Sequence, residues 1–167
     1  YQHGTKIWST PYTTSNLTGA AAVKALTRLV SFYETDLIDD AVFAGSAAAA
    51  LFRTGAYGFH MSGNWNVSSY QDLTFNWTVV PMPKEVNRAT ILGGKSIAAF
   101  MDSNAPTEAK KFIAWLAKGE PHDKFTGGVP YLTPRLGAEV DYGKFADEYA
   151  IFLDEIAATD ASFVQDW

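Results

Sequence analysis

The chain has no cysteine. That excludes a disulfide framework, a thiolate zinc site and a cysteine nucleophile, and is compatible with an oxidising exterior. Basic residues are in the minority, 13 Lys and Arg against 18 Asp and Glu, for a net charge of -5 and a pI near 5.1. A nucleic-acid binder needs a clustered basic face, so that class is set aside. No run approaches the roughly 18 consecutive apolar residues of a membrane span. The richest, Ala41 to Phe52, is short and dominated by alanine. His3, His60 and His122 lie too far apart for a metal-ligand spacing. No serine is paired with a placed histidine, and the acidic run Glu34, Asp36, Asp39, Asp40 reads as a solvated helix end. No catalytic residue, metal or cofactor is expected.

What is present is an ordinary globular composition, 47% apolar and 19% charged, in a length of 167 residues that suits one domain. Aromatics are abundant, with 5 Trp, 8 Tyr and 11 Phe. Most of these belong to a core. Trp and Tyr beside glycines and small polar groups also suit a pocket with stacking faces.

Residues 1 to 14 read as loop or edge strand. Ala22, Leu26, Leu29, Val30 and Tyr33 follow a helical stripe, so a helix is expected over Thr18 to Tyr33, capped by Ser15, Asn16 or Thr18. A short helix over Gly45 to Arg53 should end at Gly55. Tyr57, Phe59 and Met61 alternate with Gly58, His60 and Ser62, the period of a strand. A helical turn is expected over Asn64 to Tyr70. Phe75 to Val80 is a strand stopped by Pro81 and Pro83, and Ile97 to Phe100 is another. Ser103-Asn104-Ala105-Pro106 opens a helix from Thr107 to Lys118 that buries Ala109, Phe112, Ile113 and Leu116 and closes at Gly119. Residues 127 to 135 are irregular, and Phe145, Tyr149, Phe152, Leu153 and Ile156 mark a last helix from Tyr142 to Ala158. Strands separated by helices point to an α/β layer architecture.

Between Gly55 and Lys118 these signals fall in a fixed order. A short apolar strand runs into Ser62-Gly63-Asn64-Trp65. A Pro-punctuated strand, Trp77 to Pro83, leads to Ile91-Leu92-Gly93-Gly94, and an amphipathic helix carries Phe112-Ile113-Ala114-Trp115-Leu116. With the helix Leu17–Tyr33, the order resembles the carbohydrate-type extracytoplasmic solute-binding proteins of ABC importers, most closely their maltodextrin-binding branch. The resemblance covers nearly the whole chain. It implies a periplasmic-binding-protein-like two-lobed fold (type II), incomplete in this chain. Residues 1–80 would be the first part of the C-terminal lobe, 84–126 a segment of the N-terminal lobe, and 134–167 the second part of the C-terminal lobe. Hinges would fall near 79–83 and 127–134. Most of the N-terminal lobe would be missing and the end after Trp167 short. A C-terminal fragment is therefore expected, with the remainder of the same protein as a partner and the apolar face of Thr107–Lys118 left uncovered.

The implied function is non-enzymatic capture of a mono- or oligosaccharide in an interlobe cleft, and its delivery to the membrane permease of an ABC importer. The location would be periplasmic or extracellular, with lipid anchoring to the membrane surface as one form. From the residues themselves, Trp65 in Ser-Gly-Asn-Trp can project into a cleft because Gly63 allows an unusual turn, and Asn64 can bond hydroxyls as donor and acceptor. A core indole and a turn asparagine fit equally. In the resemblance, Trp65 stacks on a sugar ring, Gly93 and Gly94 bring bare backbone to the ligand from the opposite lobe, and Tyr131 and Arg135 line the returning hinge. Trp167 is a second stacking aromatic. Gly93-Gly94-Lys95 lacks the spacing of a phosphate loop. Tyr12 and Tyr70 are weaker candidates; Trp8, Trp77 and Trp115 read as structural. Three sequons, at Asn16, Asn66 and Asn76, read as accidental in a bacterial protein. Two other functions compete. A glycosidase would need two carboxylates flanking the scissile bond, for which Asp36, Asp39, Asp40 and Asp123 are the residues to test. A polyamine or metal-ion binder would line its cleft with acidic residues.

Overall fold

The computed structural model describes residues 1–9, 11–38, 47–91, 93–129, 131–135 and 137–159. Five α-helices occur among them: α1 (Ala20–Glu34), α2 (Ala47–Arg53), α3 (Pro106–Leu116), α4 (Gly119–Gly127) and α5 (Ala146–Ala158). Single turns of 3-10 helix cover Asn64–Asn66, Ser68–Tyr70 and Gly143–Phe145. The chain divides into two units, one of Tyr1–Ser62, Asp72–Leu92 and Asp154–Trp167, the other of Gly63–Gln71 and Gly93–Leu153.

Helix ends follow backbone hydrogen-bonding rules closely. The amide of Leu37 reaches Phe32 O and that of Asp36 reaches Tyr33 O, a Schellman closure of α1 with Asp36 left-handed at φ 55°. α2 ends the same way, with Ala56 N on Leu51 O, Gly55 N on Phe52 O, and Gly55 at φ 75°. The glycine stop expected at 55 is therefore present. α1 starts two residues later than its periodicity implied. Its N-cap is Gly19 in an extended conformation, without a side-chain cap, so Ser15, Asn16 and Thr18 do not cap it. α3 takes Pro106 in its first turn, where no N–H is needed. Gly119 does not merely close α3; it opens α4, whose first turn holds Glu120 and Pro121. A 3-10 turn precedes α5, so that helix starts at Ala146 instead of Tyr142.

The strands expected at 56–61, 75–80 and 97–100 do not form. Among the described residues no strand ladder exists, only an isolated antiparallel bridge between Trp8 and Ser15. The reason is visible in 73–80. Leu73, Phe75, Trp77 and Val79 are half-buried while Thr74, Asn76, Thr78 and Val80 are exposed, the alternation of a sheet face. Side-chain alternation is local, but a ladder needs a second extended backbone alongside, and none is paired here. At 56–61 even the alternation fails, with Phe59 88% and Met61 75% exposed. The α/β expectation is thus not met among the described residues, which are helical.

Apolar stripes are under-buried for the same want of a facing layer. In α1 only Ala22 is buried, and Leu26, Leu29 and Val30 are about half exposed. In α3 Leu116 is buried, whereas Phe112, expected inside, is as exposed as Trp115, and their rings lie 5.8 Å apart. Leu153 of α5 is exposed as well.

The first unit is held by polar contacts. Gln2 accepts from Val86 N and Asn87 N, and Lys24 pairs with Glu85 at 2.5 Å on the surface, which holds the Glu85 carboxyl below its ordinary range. Arg88 Nη2 meets Glu155 Oε2 at 2.6 Å. The Glu155 side chain is 6% exposed, and its Oε1 is buried without a partner among the described residues. Thr159 Oγ1 donates to Glu155 O and accepts from Thr90 N. Phe52, Phe75 and His60 form a small aromatic cluster, and burial lowers the His60 pKa. In the second unit α3 packs on α4, and Val67, Tyr70, Leu116, Thr126 and Tyr149 are buried. The Tyr142 and Tyr149 rings stack at 4.3 Å and 4°.

Two outcomes follow. Arg88→Ala strands a buried carboxylate and should lower stability by about 3 kcal/mol, read from the urea midpoint; a change below about 0.5 kcal/mol means the pair contributes nothing. Burial, then the charge of Tyr142, pushes the Tyr149 phenol up from its ordinary value of 10.0. The unfolded chain therefore loses this proton first. The stability it contributes is complete below about pH 10 and lost as pH rises through the folded pKa. In alkaline unfolding series, Tyr149→Phe should flatten that decline relative to wild type.

Candidate functional site

The best-formed candidate surface lies in the second unit and begins at Gly63. Asn66 N reaches Gly63 O and Val67 N reaches Asn64 O, both at 3.1 Å, closing a 3-10 turn over Asn64–Asn66. Val67 and Tyr70 anchor the turn pair by burial, and Tyr70 N donates to Val67 O. Two residues before the first of these anchors, Trp65 remains 53% exposed. Its six-membered ring rests on Gly63, where an added Cβ would collide with Cζ3, Cη2 and Cε3. The reason for glycine differs from the one the sequence suggested. Gly63 sits at φ -101°, ψ 171°, an extended conformation open to any residue, so what it supplies is room for the indole. Asn64, beside it, is half-buried.

The second group is Tyr131 to Arg135. Tyr131 is half-buried and its amide donates to Val129 O at 2.8 Å. Thr133 N donates to Tyr142 Oη, and Arg135 N donates to Thr133 Oγ1, both at 3.2 Å. Arg135 Nη1 donates to both carboxylate oxygens of Asp123 at 2.6 Å and to Gly119 O at 3.0 Å. The pair is partly exposed, 35% for Arg135 and 25% for Asp123. The sequence offers Asp123 only as a carboxylate to test for a glycosidase and Gly119 only as a helix end; their shared hold on Arg135 depends on α4, a helix the sequence reading lacks. The Glu120-Pro121 pair following a glycine was the available signal.

Gly93 and Gly94 are exposed, and a Cβ at either would meet nothing within 4 Å. Packing does not require glycine there. Trp167, Asp39 and Asp40 lie outside the described residues. Tyr12, in the first unit, is 45% exposed at φ 60°. Trp65, Asn64, Gly93, Gly94, Tyr131 and Arg135 all fall within one unit. An open depression of about 490 Å³ in the first unit, bordered by Thr5, Ser15, Asn16 and Thr18, contains none of them. No group of three or more metal-ligating side chains occurs among the described residues.

This arrangement offers an aromatic platform, a fixed guanidinium and amide groups, which suits reversible binding of a small polar molecule. The sequence model of bacterial extracellular solute-binding proteins matches residues 3–151. The chain belongs to that family. Its members bind a solute outside the cell for transport, are generally non-enzymatic and pair with a transporter. The family suggests a periplasmic-binding-protein-like fold and a periplasmic or extracellular location; no helix of the described residues is long and apolar enough to cross a membrane. No curated protein and no solved structure matches the chain.

The Gly63–Trp65 contact is directly testable. Gly63→Ala should displace the indole from its seat, seen as a shift in Trp fluorescence against a Trp65→Phe reference. An unchanged spectrum would mean that the ring is not held by the glycine.

Proposed function

We propose that this protein captures a mono- or oligosaccharide without chemistry and delivers it to the permease of an ABC importer, as in the carbohydrate-type, maltodextrin-like branch of its family. The observation that carries the reading is Trp65, half exposed and seated on a glycine. A flat indole face with a backed edge suits the apolar face of a sugar ring. Asn64 beside it adds a donor and an acceptor, and Tyr131 and Arg135 add a second aromatic and a fixed donor set. Gly93, Gly94 and Trp167 belong to the same proposal, as do lobe boundaries near 79–83 and 127–134. Further polypeptide of the same protein is the partner proposed for the exposed apolar faces of α1 and α3, since a soluble protein rarely leaves patches of that kind open.

Stacking that removes ~60 Å² of apolar face from water, at ~25 cal/mol/Å², contributes roughly 1.5 kcal/mol, or about tenfold in affinity. A thermal-shift series against neutral sugars, peptides, polyamines and divalent metals should show stabilisation by a sugar, because a ligand that binds only the native state raises the melting temperature. Trp65→Ala should then weaken that sugar about tenfold. Stabilisation by a polyamine or metal alone would replace the carbohydrate reading with the cation-binding one.

A further inference from the structure

Arg135 carries five N–H donors in a planar fork. The two on Nη1 are consumed by the Asp123 carboxylate and Gly119 O. The other three, on Nε and Nη2, have no partner among the described residues, and the side chain is 35% exposed. Nε–H and Nη2–H point the same way, so what stands open is a side-on edge for two adjacent acceptor atoms. That edge is rigidly held. Asp123 fixes the side chain, while Thr133 Oγ1 and Tyr142 Oη fix the backbone behind it, and Tyr142 is stacked on the buried Tyr149.

A carboxylate, a phosphate or a pair of neighbouring hydroxyls could each bridge such an edge. Charge separates them. Asp123 at 2.6 Å already neutralises the guanidinium, so an incoming anion meets a pair with no net charge and repulsion from the Asp123 carboxylate. It would also lose its hydration without an unpaired cation to offset that loss. Neighbouring hydroxyls of a neutral solute lose far less, and they still gain two directed hydrogen bonds.

We infer that the Nε–Nη2 edge of Arg135 is the solute's diol-binding element, and that Asp123 is a positioning residue that also makes the site prefer a neutral sugar over its acidic counterpart. The inference rests on the carbohydrate reading above and adds which solutes are rejected.

Calorimetry on the whole protein with glucose, galactose, xylose and maltose, against glucuronate and galacturonate, tests it. Wild type should bind a neutral sugar at least about tenfold more tightly than the matching uronate. Arg135→Lys can keep the ion pair with Asp123 but has no second edge, and should weaken the neutral sugar about tenfold. Asp123→Asn should weaken it several-fold and shrink the discrimination against the uronate. Thermal melts report whether each variant folds, and should Asp123→Asn fail, Arg135→Lys decides. Sugar binding that Arg135→Lys leaves within about twofold, or a uronate preferred by wild type, overturns this inference alone. Binding of no sugar by wild type overturns the carbohydrate reading and this inference together.

Discussion

Among the described residues backbone hydrogen bonding is almost wholly local, and the rest of their structure follows from that constraint. Amides of helices and turns find carbonyls three to five residues back, as at the Schellman closures of α1 and α2 and the 3-10 turns after Gly63. Extended segments have no such local partner. Segment 73–80 therefore carries a strand-like alternation of side chains without a paired ladder. The candidate site residues with defined surroundings, Trp65 and Arg135, stand on locally closed turns. Gly93 and Gly94 lie outside any helix or strand, and a Cβ at either would meet nothing within 4 Å.

Polar contacts do much of the longer-range joining. In the first unit the Arg88–Glu155 pair and the Thr90–Thr159–Glu155 bonds link stretches nearly 70 residues apart. In the second, Asp123 and Gly119 of α4 hold Arg135, and Tyr142 holds Thr133. Such contacts are directional and fix side chains in defined poses. They therefore do more for a recognition surface than the same free energy spread over apolar contacts. A solute-binding protein needs this kind of preorganisation, because each group already ordered before binding costs nothing to order afterwards.

Local features were legible from residues. The glycine stop at 55, the Pro106 start of α3, the turn at 64–70 and the final helix all depend on a few neighbouring side chains, and they were read nearly in place. α4 is harder to read because Gly119 follows the end of one helix and begins the next, with Glu120 and Pro121 in the first turn of the second. The stripes of α1 and α3 were read correctly as amphipathic, yet amphipathicity states what a helix could bury, not whether a facing layer does so. Beside Trp65 the sequence assigns Gly63 an unusual turn, whereas in the structure Gly63 is extended and gives space for the indole.

Local pattern by itself determined four of the five helices to within a few residues of their ends, and the absence of cysteine excluded thiol chemistry. Each of these is a property of residues close together in sequence or of their sum. Tertiary structure alone decided that Asp123 occupies one end of the Arg135 guanidinium, that Glu155 is buried against Arg88, and that the indole of Trp65 lies across a glycine. Those facts concern which atoms lie within about 3 Å or in ring contact, and residue spacing cannot specify them until the intervening chain has taken its course.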